Sequence, residues 1–161
     1  MSQLVATIRP YRPCDRDRLL AITAAAFPGA SIDRLLEERY GQLGETTWAV
    51  RKGAAIAADC DVHPDGVFVA EDAAGLVVGY ITTRLDPTTR LGWIPNLAVA
   101  PECWGQGLGR RLLQTALDYF RAAGMTHAKI ETLAVNEAGQ RLYPSVGFQE
   151  LVRQIHYAME L

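Results

Sequence analysis

Along this chain the spacing of apolar residues switches between the helical and the extended period, and the switches mark out its elements. Residues 5 to 9 (VATIR) read as a short strand, after which Asp15 stands where a helix N-cap belongs, ahead of Leu19, Leu20, Ile22 and Ala26. Ile32, Leu35, Leu36 and Tyr40 recur at helical spacing and predict a second helix over about 31–43. A third is expected from Thr47 to about Ala58. The period then shortens. VFVAED (67–72) and LVVGYITTR (76–84), separated by the turn residues Ala73 to Gly75, read as a hairpin. GWIPNLAVA (92–100) is again strand-like, but proline has no N–H for a ladder, so a bulge or break is expected near Pro95 and Asn96.

The helical period returns after Gly107. Leu108, Leu112, Ala116, Phe120 and Ala123 step by three or four, flanked by Leu113 and Leu117, and form one apolar face of a long helix that Gly124 ends. HAKIETLAV (127–135) predicts another strand, NEAGQRLYPSV (136–146) a short helix, and residues 148–160 a final strand. The order is mixed α and β. With 161 residues, one domain over 1–161 is expected.

The junction between the strand ending near Ala100 and the long helix reads PECWGQGLGRRLL, with Gly105, Gly107 and Gly109 at alternate positions. Glycine loses more conformational freedom on folding than any other residue, so three in five positions must serve a purpose that a side chain would spoil. A helix start offers unpaired N–H groups and partial positive charge, and a glycine approach lets an anionic group reach them. A tight turn needing positive φ or close packing explains the same pattern equally well. GQGLG lacks the Lys-Ser/Thr ending of a nucleoside-triphosphate loop and the spacing of a dinucleotide fingerprint, so ATP and NAD both fit badly.

NLAVAPECWGQGLGRRLLQTALDYFRAAG followed by IETLAVNEAGQRLYPSVGF resembles the Gcn5-related N-acetyltransferase (GNAT) family, strongly over about 94–150 and elsewhere by element order. The family's loop pattern, Gln/Arg-x-x-Gly-x-Gly/Ala, falls on Trp104, Gly105, Gln106, Gly107, Leu108 and Gly109, with Trp104 in place of the usual Gln or Arg. The resemblance implies an α+β fold: a twisted, mostly antiparallel sheet of six to seven strands, flanked by about four helices, whose strands 4 and 5 splay apart around acetyl-CoA. Strand 4 is here Gly92 to Val99 and strand 5 about His127 to Ala134. The coenzyme would then be held by the strand stretch Leu97, Ala98 and Val99, by the loop from Gly105 to Gly109, and by Arg110, which reads equally as a solvated helix arginine.

Acetyl transfer to an amine needs a neutral nucleophile, stabilisation of the developing oxyanion and a proton for the departing thiolate. The resemblance gives the oxyanion to the Leu97 N–H and the proton to Tyr143. Glu131 is the candidate base: inside a strand, burial would raise its pKa toward neutrality. Its spacing to Asn136 and Tyr143 is similar to that of the ribosomal-protein alanine acetyltransferases. A Glu on the exposed face paired with Lys129 suits the same position, and many relatives use a water relay instead. Asn136 is expected to cap the helix it starts, to contact the pantetheine arm, or both. The acceptor, a primary amine of a small molecule or a protein N-terminus, is not specified by these residues. A non-catalytic acetyl-CoA sensor or an interaction domain would keep the glycines and need no proton donor.

Composition narrows the class without naming the substrate. Apolar residues make up 49% and charged residues 21% of the chain, typical of a globular protein. A formal net charge of −2 argues against a nucleic-acid or anionic-membrane partner. Cys14, Cys60 and Cys103 form no CxxC pair and have no His at ligand spacing, so neither a disulfide framework nor a metal site is expected, and a reducing cytoplasm fits. The start of the sequence has no signal-like apolar run, and nowhere do eighteen apolar residues follow one another. The resemblance allows a homodimer.

Overall fold

The structure is a computed structural model that describes residues 5–27, 29 and 31–161. The first four residues of the domain expected over 1–161 therefore lie outside the described residues. Five strands form one sheet in the order of the chain: β1 (Ala6–Pro10), β2 (Phe68–Asp72), β3 (Val77–Asp86), β4 (Leu91–Val99) and β5 (His127–Ile130). The first four pair antiparallel, and β5 joins β4 in parallel.

Helices cover both faces. On one side α1 (Arg16–Ala26) and α3 (Trp48–Val62) pack over a cluster containing Leu19, Ile22, Ile56, Cys60, Val69, Tyr80 and Ala98, and α2 (Ile32–Tyr40) lies against α3. On the other, α4 (Leu108–Ala122) presses Leu108, Leu112, Leu113, Ala116 and Phe120 against Ala70, Val78, Ile81 and Ile94. These are the stepped positions expected of α4's apolar face. Contact is close enough that a Cβ on Gly92 would come within 2.5 Å of the Phe120 ring. A fifth helix, α5 (Glu137–Leu142), follows β5 and runs into a single 3-10 turn, Pro144–Val146.

The break expected near Pro95 is a β-bulge. Trp93 lies opposite Arg84 and Asn96 opposite Thr82, so Ile94 and Pro95 together face the single residue Thr83. The bulge also moves side chains between faces. Ile94 packs under α4, whereas beyond the bulge Asn96 and Ala98 face α3 and α1, and Leu97 and Val99 turn to α4.

Two expected strands are corrected. The strand over 127–135 stops at Ile130, because its ladder with β4 runs only from Leu91↔His127 to Ile94↔Ile130. Residues 149–161 are exposed and make no ladder, so the sheet has five strands among the described residues rather than six or seven. Asp15 also differs from its expected role. It precedes α1 but its side chain makes no cap bond there; the carboxylate takes the Arg12 N–H at 2.8 Å and two donors from Arg9.

Candidate active site

The site forms where β4 and β5 part. Ala100 N–H donates to Val78 O at 2.8 Å, and alternation along an antiparallel ladder then assigns the bonded pairs to Ala98 with Tyr80 and Asn96 with Thr82. The N–H and C=O of Leu97 and Val99 consequently point away from β3. No strand among the described residues receives them there, since β5 has already left the sheet after Ile130. Ala98 is placed differently from its neighbours: its backbone pairs with β3 and its side chain packs on the α1 face.

The glycine loop sits at the end of this gap. Gly105 and Gly107 adopt φ of +76° and +77°, and no atom beyond their chain neighbours lies within 4 Å of where a Cβ would be. At these two positions the backbone is left-handed, as a tight turn requires, and the space before it is open. Gly107 is the N-cap of α4, so the first N–H groups of that helix face the same space. Gly109 does another job, since a Cβ there would come within 3.2 Å of the Leu142 side chain, and its absence lets α5 approach α4. Leu108 is buried in the core, and Gln106 is half exposed.

Arg110 and Trp104 are both engaged. Arg110 donates to the Ser145 carbonyl at 3.0 Å and to its hydroxyl at 2.8 Å, tying the first turn of α4 to the segment just after Tyr143. Trp104, which is largely exposed, donates its indole N–H to Val99 O at 2.7 Å.

Tyr143 follows α5 at the start of the 3-10 turn and packs against the cluster that includes Leu97, Val99 and Leu142. Burial pushes its phenol up to about 12, an effect that a hydrogen bond with Thr132 partly offsets. The phenol is therefore protonated at neutral pH. Asn136 caps α5 as expected: its Oδ1 accepts from Gly139 N–H at 3.2 Å, and its Nδ2 donates to Thr132 Oγ1 at 2.8 Å. Thr132 and Gly139 escape sequence reasoning, yet a Cβ on Gly139 would lie 2.9 Å from Asn136, 3.1 Å from Thr132 and 3.1 Å from the Tyr143 ring. The sequence signal was the glycine in the middle of a six-residue helix.

Glu131 corrects an expectation. It lies one residue beyond the end of β5, is exposed, and accepts from Lys129 Nζ at 2.9 Å. The expected burial is absent, and the surface pair with Lys129 is the arrangement seen.

The chain belongs to the acetyltransferase (GNAT) family, whose model matches residues 30–148. It is 32% identical over 161 aligned residues to a mycothiol acetyltransferase of Tsukamurella paurometabola, an alignment covering 94% of this chain and 51% of that protein. The chain thus spans about half the length of that relative. Among solved structures, the fold is similar to the PaiA N-acetyltransferase of Thermoplasma acidophilum in complex with coenzyme A, with a TM-score of 0.72 at 16% identity over 91% of each chain. It is also similar to a GNAT family acetyltransferase of Brucella melitensis in complex with acetyl-CoA, with a TM-score of 0.64 at 22% identity over 91% of this chain and 84% of that one. No helix among the described residues is long and apolar enough to cross a membrane.

Proposed function

We propose that this protein is an N-acetyltransferase that moves the acetyl group of acetyl-CoA onto a primary amine of a small molecule or a protein N-terminus by direct attack. The observation that carries the reading is the open edge of β4 at Leu97 and Val99, running into a helix start whose Gly105 and Gly107 leave room for an anion. These residues fit the coenzyme: the loop amides and the α4 N-terminus suit its pyrophosphate, and the edge of β4 that no described strand pairs with suits the amides of its pantetheine arm, with Trp104 at Val99 O. Bound there, acetyl-CoA supplies an acetyl group activated as a thioester.

The residues then divide the work. The coenzyme approaches along the α4 face, so the amine enters from the side of α1 to α3. Leu97 N–H donates to the thioester oxygen as it gains charge. Tyr143, whose phenol is protonated at neutral pH, donates its proton to the sulfur as the carbon–sulfur bond breaks. The proton lost by the attacking nitrogen passes to water or to Glu131, which is open to solvent. Asn136 and Thr132 support this arrangement by fixing the start of the helix that carries Tyr143. The relative's name, mycothiol acetyltransferase, makes small thiol metabolites bearing an amine a sensible first group of acceptors.

Release of free thiol from acetyl-CoA in the presence of an amine panel tests the proposal. Amine-dependent release is expected. Saturable acetyl-CoA binding without release under any amine would favour a coenzyme sensor, and no binding would remove both readings.

A further inference from the structure

A buried polar network on the acceptor side of β4 takes no part in the scheme above. Asp59 sits on α3 among the core residues Ile56 and Cys60 and is 2% exposed. Its Oδ2 accepts from Thr82 Oγ1 at 3.0 Å and from Asn96 Nδ2 at 2.8 Å, while Oδ1 accepts from Arg84 Nε at 3.0 Å and also from Arg84 Nη2. Asn96 Oδ1 in turn accepts from Lys52 Nζ at 2.7 Å. A buried carboxylate is costly unless all its lone pairs are used, and here each oxygen has two donors.

The placement of these partners is specific. Thr82 and Asn96 face each other on one side of the bulge, and Arg84 lies on the other side of it. One carboxylate therefore bridges both strands across the bulge and fixes which way the Asn96 amide turns. The peptide unit joining Asn96 to Leu97 has its C=O on the β3 side and its N–H in the gap. Holding Asn96 fixes that peptide plane and with it the direction of the Leu97 N–H.

We infer that Asp59 and Asn96 are positioning residues that aim the Leu97 N–H at the reacting carbonyl from the opposite face of the sheet. The inference rests on the proposed transfer reaction, and nothing in it touches substrate directly. A misaimed donor weakens oxyanion stabilisation while leaving the pyrophosphate and pantetheine contacts elsewhere intact.

The test compares Asn96→Ala with the paired exchange Asp59→Asn and Asn96→Asp, which keeps one carboxylate and one amide in the network. Asn96→Ala should lower kcat about tenfold or more, with the acetyl-CoA Kd and the acceptor KM within about twofold of wild type, and the exchange should recover most of the loss. In labelled protein the Leu97 amide resonance should shift in Asp59→Ala, a change remote in sequence that reaches Leu97 only through Asn96. Losses of kcat and coenzyme affinity in equal measure would overturn the inference, as would a folded Asn96→Ala with wild-type kcat. An unmoved Leu97 amide overturns it whatever the turnover, while absent turnover in the wild type counts against the transfer reading alone.

Discussion

The indole N–H of Trp104 is bonded to the carbonyl oxygen of Val99 at 2.7 Å, so the one departure from the family's loop pattern closes on the strand edge that the loop adjoins. An arm N–H that bonds to Val99 O competes with Trp104 for that oxygen. A hydrogen bond of this kind is worth about 1 kcal/mol net. Trp104→Phe keeps the ring and removes the donor. Calorimetry should show acetyl-CoA binding about fivefold tighter to the variant. Unchanged or weaker binding would mean that the arm leaves this carbonyl alone or that the indole N–H itself serves the ligand.

Gly107→Ala introduces a Cβ at a φ of +77°, in the space before the first amides of α4. Left-handed backbone costs a residue with a Cβ about 1–2 kcal/mol, so a loss of several degrees in Tm is expected. Gly109→Ala meets the Leu142 side chain at 3.2 Å instead, which perturbs the seat of α5 more than the anion space. The two variants should separate: acetyl-CoA affinity falls more in Gly107→Ala, kcat more in Gly109→Ala.

Tyr143→Phe removes the proposed proton donor and leaves the ring packed edge-on to Phe148. Stopped assays should show kcat reduced by about tenfold to a hundredfold with the acetyl-CoA Kd unchanged. The phenol of the wild type is pushed up to about 12, and it loses its donor form only as pH rises toward that value. The pH profile of kcat should therefore show no alkaline fall from this group below about pH 10. A fall with a midpoint near 8 that disappears in Tyr143→Phe would contradict the assignment of burial as the dominant influence.

Asp15 predicts how the fold responds to acid. Its hydrogen bonds with Arg9 hold the carboxyl below the usual range, against the opposing effect of burial. A depressed folded value means that the stabilisation is present above the unfolded value and is lost as pH falls through the folded one. Asp15→Asn should lower Tm by about 5 °C at pH 7 and flatten its decline as the pH falls through and below the ordinary carboxylate range. A variant with the same acid profile as wild type would place the sensitive carboxylates elsewhere.

Local pattern revealed the parts that local chemistry decides. Pro95 forced the bulge, the stepped leucines placed α4, Asn136 capped α5, and Gly105 with Gly107 opened the loop, each for reasons contained within a few residues. What stayed hidden depends on partners distant in the chain. Ile155, Tyr157 and Met159 alternate as a strand would, but alternation only prepares a segment for a neighbouring strand, and here no neighbour is paired with it. Glu131 seemed to be inside a strand because its flanks are β-prone, yet β4 offers β5 only four partners. Asp59 gave one weak sign, a carboxylate beside Ile56 and Cys60 on an otherwise apolar helix stripe. Its role depends on Thr82, Arg84 and Asn96, more than twenty residues away.

The proposed function requires the glycine loop and the edge of β4 to hold acetyl-CoA together. Titrating acetyl-CoA into the wild type and Gly107→Ala by calorimetry tests it most directly. Saturable one-to-one binding to the wild type is expected, with an affinity at least about tenfold weaker in the variant. No heat of binding, or equal affinity for both proteins, would contradict it.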